Sequence, residues 1–489
     1  MQWYAALFVT LWLWRYLRLL VHLVSAWTLK PIRPAPTPKY RAKDVTVVLP
    51  TFGNDNPDFR RCLRSIAACL PRAVLIVTPA PDTVQAVCQD LDLDHFEVLA
   101  APKANKRLQM IQGIEHARTS MIVFADDDVF WPRTFLTYLL APFEDDAVGA
   151  VGPFISLERP AKLNVWDFLG AAYLERWNFC VAATSNVDGG IACLSGRTAA
   201  VRSDILQDEA FKDHFANEKW FFDIPLSKAD DDNCLTRWLV NRGWKIKIQN
   251  APGAHATTAL ESNWKFVLQC VRWDRTTWRS NITSMFYDRV IWTAQPWCSY
   301  ALHLSTFTPS AAIVEGTLAY LLYRAYDDGQ PVYQFLPSTR TSAYILLVAW
   351  IIFSKTVKLI PYFYHHPSDL RFLPAVFLFG YGHGLIRLWS FCTLFMTSWD
   401  GSRMSLASLT SSATILAHDA RQKGSNLSAN MTTGGGAGIA NMATLFTEGA
   451  RFRVNDGSSR LRMKGEDTVE RLKTGTDLKR LTVRSDSSG

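Results

Sequence analysis

Three clusters of side chains in this sequence have the types and spacing to do chemistry. The first is Asp126-Asp-Asp128, directly after the apolar run MIVFA. Two carboxylates at i and i+2, on a loop past a buried strand, can hold one divalent cation, Mg2+ or Mn2+, together with diphosphate oxygens. The plain alternative is a solvated acidic turn. The second is Asp230-Asp-Asp232, ahead of the helical pattern RWLVNRGW. Acidic residues at a helix start often only cap it. A cap needs one carboxylate, however, and three in a row repel. A carboxylate crowded by others keeps its proton to higher pH and can serve as a base. The third is Gln269-Cys-Val-Arg-Trp273, in a helical stretch rich in Trp, Arg and Lys. Arg272 can fork onto diphosphate oxygens, and Trp273 offers a flat apolar face to a sugar ring. The alternative for this cluster is an interfacial helix beside a membrane.

Elements able to position these groups are legible around them. VTVVLP (45–50), AVLIVTP (73–79) and MIVFADDD (121–128) read as buried strands, alternating with helical patterns over 44–285. Such alternation predicts an α/β domain with a parallel sheet. Ligands of such sheets bind at the carboxyl ends of the strands. Polar residues crowd those ends, Thr51 to Asp55 after the first strand and Asp126 to Asp128 after the third.

The 489 residues, 48% of them hydrophobic, suffice for two or three domains and exclude a wholly disordered chain. Nine cysteines, an odd number without a CxxC pair, exclude a disulfide scaffold and argue against structural zinc. A net charge of +8 and 18 Trp suit a membrane face or an anionic substrate. No basic-aromatic module fits nucleic acid, so no nucleic-acid partner is expected. Residues 4–27 are apolar enough to cross a bilayer, so 1–29 is read as an N-terminal membrane helix. The Pro-rich linker 30–43 carries Lys30, Arg33, Lys39, Arg41 and Lys43, which argues for a cytoplasmic domain at 44–285. Interfacial and transmembrane helices are expected over 286–403, with apolar stretches at 309–326, 342–361 and 370–398. The basic residues flanking the last stretch and the flexible Gly380-Tyr-Gly-His-Gly384 predict that 370–398 enters the membrane and turns back, or crosses twice as a tight hairpin, lining the acceptor path with His383 and Arg387. A single tilted span is the alternative. The Ser/Gly-rich segment 404–489 reads as a mostly disordered cytoplasmic tail. A plasma-membrane location is the expectation.

Taken together, the clusters resemble the signature of processive family 2 glycosyltransferases, the hyaluronan, cellulose and chitin synthases. That signature has an early strand-end acid, a DxD, a G-D-D-like stretch and Q-x-x-R-W, in this order. Here they match Asp55, then Asp126 and Asp128, then Asp231-Asp232 with Leu235-Thr236, then Gln269, Arg272 and Trp273. Lys106-Arg107 resembles a basic pair near the nucleotide. Cys193 to Gly196, with Arg202, resembles the segment beneath the acceptor sugar. Thr397-Ser-Trp399, followed by Gly401 to Arg403, resembles a W-G-T-R element. The resemblance covers roughly 45–403 and is similar to the fungal hyaluronan-synthase-like polysaccharide synthases. Two departures stand out. Asp230 replaces the Gly of G-D-D, which leaves Asp231 as the alternative to Asp232, and Asp400 is inserted beside Trp399.

The resemblance implies a GT-A-type nucleotide-sugar-binding domain with a mainly parallel sheet, plus membrane helices at both ends. It implies inverting, Mg2+- or Mn2+-dependent transfer from a UDP-sugar to a growing cell-wall or capsule polysaccharide. Asp232 would be the base, Asp128 and Asp126 the metal ligands. Asp55, Lys106, Arg107 and Asp126 would hold the nucleotide, and Gln269, Arg272 and Trp273 the diphosphate and acceptor. A lipid membrane is a partner, and a homo-oligomer is allowed. Two alternatives stay open: a non-processive enzyme on a lipid or short acceptor, and an inactive membrane scaffold.

Overall fold

The computed structural model describes residues 3–93, 95–226, 230–327 and 337–397. Helix α1 (Trp3–Thr28) leads through an extended linker to β1 (Val45–Pro50). Val45, Val47, Val48 and Leu49 of β1 are fully buried. An unbroken apolar strand is what a parallel sheet covered on both faces requires. Six more strands join it: β2 (Ala73–Thr78), β3 (Glu97–Ala100), β4 (Met121–Ala125), β5 (Val148–Pro153), β6 (Thr198–Arg202) and β7 (Lys245–Gln249). Their order is β7-β5-β6-β4-β1-β2-β3. Strand β6 runs antiparallel to both its neighbours, and the remaining pairs are parallel. In register, Val47 lies opposite Val74 on one side and Val123 on the other. The three expected strands therefore lie side by side at the centre, and the mainly parallel sheet holds.

Helices α2 (Pro57–Ala67) and α3 (Pro81–Asp90) cover one face of the sheet, and α4 (Lys106–His116) the other. Helix α2 buries Phe59, Cys62, Leu63 and Ile66, the spacing of one helical stripe. Asn56 caps it by accepting from the Phe59 amide. On α4, Gly113 meets Val48 so closely that an added Cβ would lie 2.3 Å from Cγ1. Gly113→Ala is expected to cost about 1–3 kcal/mol by overpacking, despite the helix-propensity gain. An unchanged thermal transition would show that α4 can shift away from β1.

Five further helices frame the site and its flank. They are α5 (Val165–Val187), α6 (Asp231–Asn241), α7 (Lys265–Ile282), α8 (Ala311–Asp327) and α9 (Arg340–Thr356), and α9 continues helically to His365. Helix α10 (Leu373–Cys392) packs along α7. Among the described residues, two helical runs are long and apolar enough to cross a membrane, Trp3–Thr28 and Arg340–His365. The expected turn at Gly380-Tyr-Gly-His-Gly384 is corrected: α10 runs through it without a break. Glycine permits a turn but does not impose one. Gly384 also packs so tightly on Ser310 that a Cβ would lie 2.6 Å from its side chain, which holds this stretch as a packed helix. The segment 398–489, with Trp399, Asp400 and the expected disordered tail, lies outside the described residues.

Candidate active site

The carboxyl ends of β1 and β4, the start of α6 and one face of α7 converge on a cavity of about 310 Å³. Its wall includes Thr51, Lys106, all of Asp126 to Asp128, Asp230 to Asp232, Gln269, Arg272 and Trp273. The three clusters, more than a hundred residues apart at their extremes, thus share one pocket.

Strand β4 is buried throughout and ends at Ala125, so the next residues emerge at the sheet edge. The Asp126 amide donates to the Arg197 carbonyl at 2.8 Å, which anchors the turn. Thr51, just past β1, donates its hydroxyl to Asp127 Oδ2 at 2.7 Å. Lys106, the first residue of α4, reaches Asp126 at 2.7 Å and Asp231 at 3.0 Å. Its ammonium also donates to the Gly196 carbonyl at 3.2 Å. One lysine therefore joins the first carboxylate cluster to the second. Burial pushes the Asp126 carboxyl up against the pull of Lys106. Burial acts upward on Asp231 as well, but there the Lys106 charge and hydrogen bond prevail and hold it low.

The three adjacent aspartates have separate fates. Asp230 sits in the left-handed region at φ +59° and is almost fully buried. Arg279 grips both its oxygens, at 2.7 and 2.8 Å. A glycine meets that backbone without strain, and aspartate is among the residues that tolerate it. Asp231 is taken by Lys106. Asp232 has no ion pair among the described residues. Its Oδ1 accepts from the Asn233 amide and side chain, at 2.8 and 3.0 Å. Burial, then the neighbouring Asp231 charge, pushes its carboxyl up to about 6. Gly196 lets it lie close, since a Cβ there would come within 3.1 Å of Asp232.

Among the described residues, Asp128 also has no lysine or arginine at ion-pair distance. Burial and the Asp126 charge push it up to about 7. A carboxylate short of positive charge, beside a second one with an oxygen to spare, fits a divalent cation. Mg2+ or Mn2+ would be held by Asp128 and Asp126, and would supply charge to offset a leaving diphosphate. The one tight His/Cys/carboxylate cluster among the described residues, His214, Glu218 and Cys234, fits a metal poorly. Both Glu218 oxygens already face the buried guanidiniums of Arg107 and Arg237.

On α7, Gln269 and Arg272 line the cavity with Oε1 and Nε buried and unpartnered. Trp273 lines it too, but Tyr173 stacks on its ring at 5.0 Å and the Arg197 guanidinium lies over it at 5.2 Å. Tyr173 and Arg197 thus occupy part of the flat surface expected to meet a sugar.

Three further expectations are corrected. Asp55 is outside the cavity wall and forms a partly exposed ion pair with Arg60, at 2.6 Å. Arg107 is 1% exposed and points away from the cavity, to the Phe215 carbonyl, Glu218 and the Asp230 carbonyl. It neighbours Lys106 in sequence, but consecutive helical residues lie about 100° apart. Arg202 is buried at the far end of β6, donating to the carbonyls of Val148, Phe143 and Asp145. Sequence reasoning missed Tyr173 and Arg197, and it gave Thr51 and Asp127 no individual role. Thr51 and Asp127 carried a signal, as polar residues just past buried strands, and Tyr173 and Arg197 carried none.

The profile of the glycosyltransferase-like family 2 matches residues 42–276. A type 2 glycosyltransferase of Pyricularia oryzae is 43% identical over 82% of each chain. Another, of Gibberella zeae, is 43% identical over 82% of this chain and 77% of its own. A mannosyltransferase of Pyrobaculum calidifontis, solved with GDP-Man and Mn2+, is similar with a TM-score of 0.46 and 18% identity, over 77% of this chain and 98% of its own. The mainly parallel sheet is that of a GT-A-like domain, and the chain belongs to the family 2 glycosyltransferases, enzymes that move a sugar from a nucleotide sugar to an acceptor.

Proposed function

We propose that this enzyme is a membrane-embedded, inverting, metal-dependent synthase that extends a polysaccharide from a UDP-sugar, with its catalytic domain in the cytoplasm. The observation that carries the reading is Asp232, the carboxylate of its cluster left without a cationic partner, in one cavity with Asp128 and Arg272. An acceptor hydroxyl attacks the anomeric carbon in line with the departing diphosphate. Asp232 takes the hydroxyl proton. Arg272, with its unpartnered Nε, and Lys106 face the charge that develops on the diphosphate. Asp128 and Asp126 would hold a divalent cation, which would supply charge to the same effect. The helical runs Trp3–Thr28 and Arg340–His365 support the membrane part of the reading. Q-x-x-R-W supports chain extension, and the resemblance to the fungal hyaluronan-synthase-like synthases supports a cell-wall or capsule product.

The test incubates membranes holding the enzyme with labelled UDP-GlcNAc, UDP-GlcA and UDP-glucose, singly and in pairs. A high-molecular-weight product, cut by a glycosidase of matching specificity, is expected. Label confined to lipid or short glycosides would establish the non-processive alternative. No nucleotide release at all would leave only a scaffold.

The metal has its own test. Asp128→Asn is expected to weaken UDP affinity in Mn2+ about 10- to 100-fold, an effect of the size seen when metal sites lose supporting ligands. In EDTA the two proteins should bind UDP alike. Equal loss with and without metal would trace the defect to folding.

A further inference from the structure

Asp230 stands where the family pattern has Gly, in a backbone that suits Gly, with φ +59° and ψ +31°. A side chain in that region costs energy and persists only where its surroundings hold it. Asp230 opens α6, yet its carboxylate caps none of the helix amides. Its partner is Arg279. The two side chains are 1% and 2% exposed. Nε and one terminal nitrogen of the guanidinium take the two carboxylate oxygens, at 2.7 and 2.8 Å.

The other terminal nitrogen of Arg279 points away from Asp230. It donates to the Leu394 carbonyl at 2.9 Å and reaches the Met396 carbonyl at 3.4 Å. Both carbonyls belong to the segment that leaves α10. One turn earlier on α7, Arg275 Nε donates to the Thr393 hydroxyl at 2.9 Å. Past Leu394, little packing supplements these bonds. Leu394 is buried in a cluster with Trp220 and Leu226. Phe395, by contrast, is 57% exposed and Met396 52%. Met396 and Thr397 nevertheless form part of the wall of the catalytic cavity, together with Asp128 and Asp232. Asp230 is therefore the counter-charge of the group that fixes this wall. A buried guanidinium stripped of its carboxylate is an uncompensated charge. It would turn towards water and release the two carbonyls.

We propose that Asp230 is a positioning residue: through Arg279 it holds the segment 394–397 against the start of α6, as a wall that closes the cavity around the donor. Met396 and Thr397 carry no charge, so their contacts change little between the bound donor and the transition state. Such contacts serve donor capture and not the chemical step. The kinetic part of the test rests on the reading of the donor as a UDP-sugar, and the structural part does not.

The test uses the full chain in nanodiscs, with whichever of UDP-GlcNAc, UDP-GlcA and UDP-glucose it turns over. Asp230→Gly removes the carboxylate and suits the backbone. It is expected to raise KM for the donor about tenfold and to keep kcat within about threefold, a modest share of the roughly 10²-fold that a 1 Å misplacement can cost. Asp230→Asn keeps a hydrogen bond to Arg279 and tolerates the same backbone, so it should fall between wild type and Asp230→Gly. Adding Arg279→Gln to Asp230→Gly should worsen nothing further, because the two side chains act as one unit. Hydrogen exchange should quicken in the peptide that covers 393–397 and stay unchanged in β1 and β4. An unchanged KM would overturn the proposal, and so would a fall in kcat at constant KM, which would place Asp230 in the chemistry. Additive losses in the double variant would show that Asp230 does not act through Arg279. Exchange that quickens in β1 and β4 as well would make Asp230 a general anchor of the fold and overturn it equally. Failure of the donor reading looks different: wild type turns over no UDP-sugar, and the exchange of 393–397 in Asp230→Gly still decides whether Asp230 holds the wall.

Discussion

Asp232→Asn is expected to keep nucleotide-sugar binding and to lower transfer by about 10²–10⁴-fold, the usual worth of a positioned general base. The amide matches the carboxylate in shape and keeps the contact with Asn233, but it cannot take a proton. The wild-type rate should carry the same group's signature in its pH profile. Burial and Asp231 hold the Asp232 carboxyl at about 6, so the base is protonated below that pH and free above it. Transfer should therefore rise as pH increases through about 6, and the residual rate of the Asn variant should lack that limb. Asp231→Asn tests something else, because Asp231 is engaged by Lys106 at 3.0 Å. It should disturb the lysine that spans both acidic clusters and affect donor binding as well as turnover. Near wild-type transfer in Asp232→Asn, with loss confined to Asp231→Asn, would move the base by one residue.

Glu218→Ala is expected to cost about 3–5 kcal/mol of stability, the penalty for breaking a buried ion pair from one side. Glu218 bridges Arg107, at 2.7 Å, and Arg237, and all three side chains are buried. Removing the carboxylate leaves Arg107 with only carbonyl acceptors and Arg237 with only the more distant Asp288, at 3.9 Å, to balance its charge. Burial alone would push the Glu218 carboxyl up, but the charges of Arg237 and Arg107 outweigh it and hold it at about 2. A carboxyl held below its ordinary value stabilises the fold fully above that ordinary value. This contribution is lost as pH falls from about 4.5 towards 2. Thermal unfolding followed against pH should show that limb in the wild type and not in the Ala variant. Glu218→Gln, which keeps hydrogen bonding, should fall between the two. A transition temperature unmoved by Glu218→Ala would mean that water enters and solvates the arginines.

Much of the site was legible because its parts sit where local rules put them. A buried strand must end in something polar, and β4 ends in three carboxylates. A helix that opens on acidic residues is recognisable from its first turn, and α6 does so. What could not be read was the direction of each side chain. Asp55 has the right position in the chain, yet Arg60, one turn along, takes it out of the cavity. Trp273 reaches the cavity, yet Tyr173 stacks on its ring and Arg197 lies over it.

By itself, the sequence determined the class of sheet, the edge at which chemistry occurs, and the three clusters that meet there. Those follow from hydrophobic runs and strand ends, which are local and repeated along the chain. Only the tertiary structure decided which aspartate does what. Asp230, Asp231 and Asp232 are identical in type and adjacent in sequence. Arg279 claims the first and Lys106 the second, and the third, hydrogen-bonded to Asn233, has no cationic partner among the described residues. Those partners come from α7 and α4, brought in by packing of the domain and invisible to any local pattern. The same holds for α10, whose glycines allow a turn in isolation but stay helical. Packing along α7 and against Ser310 outweighs the freedom of three glycines.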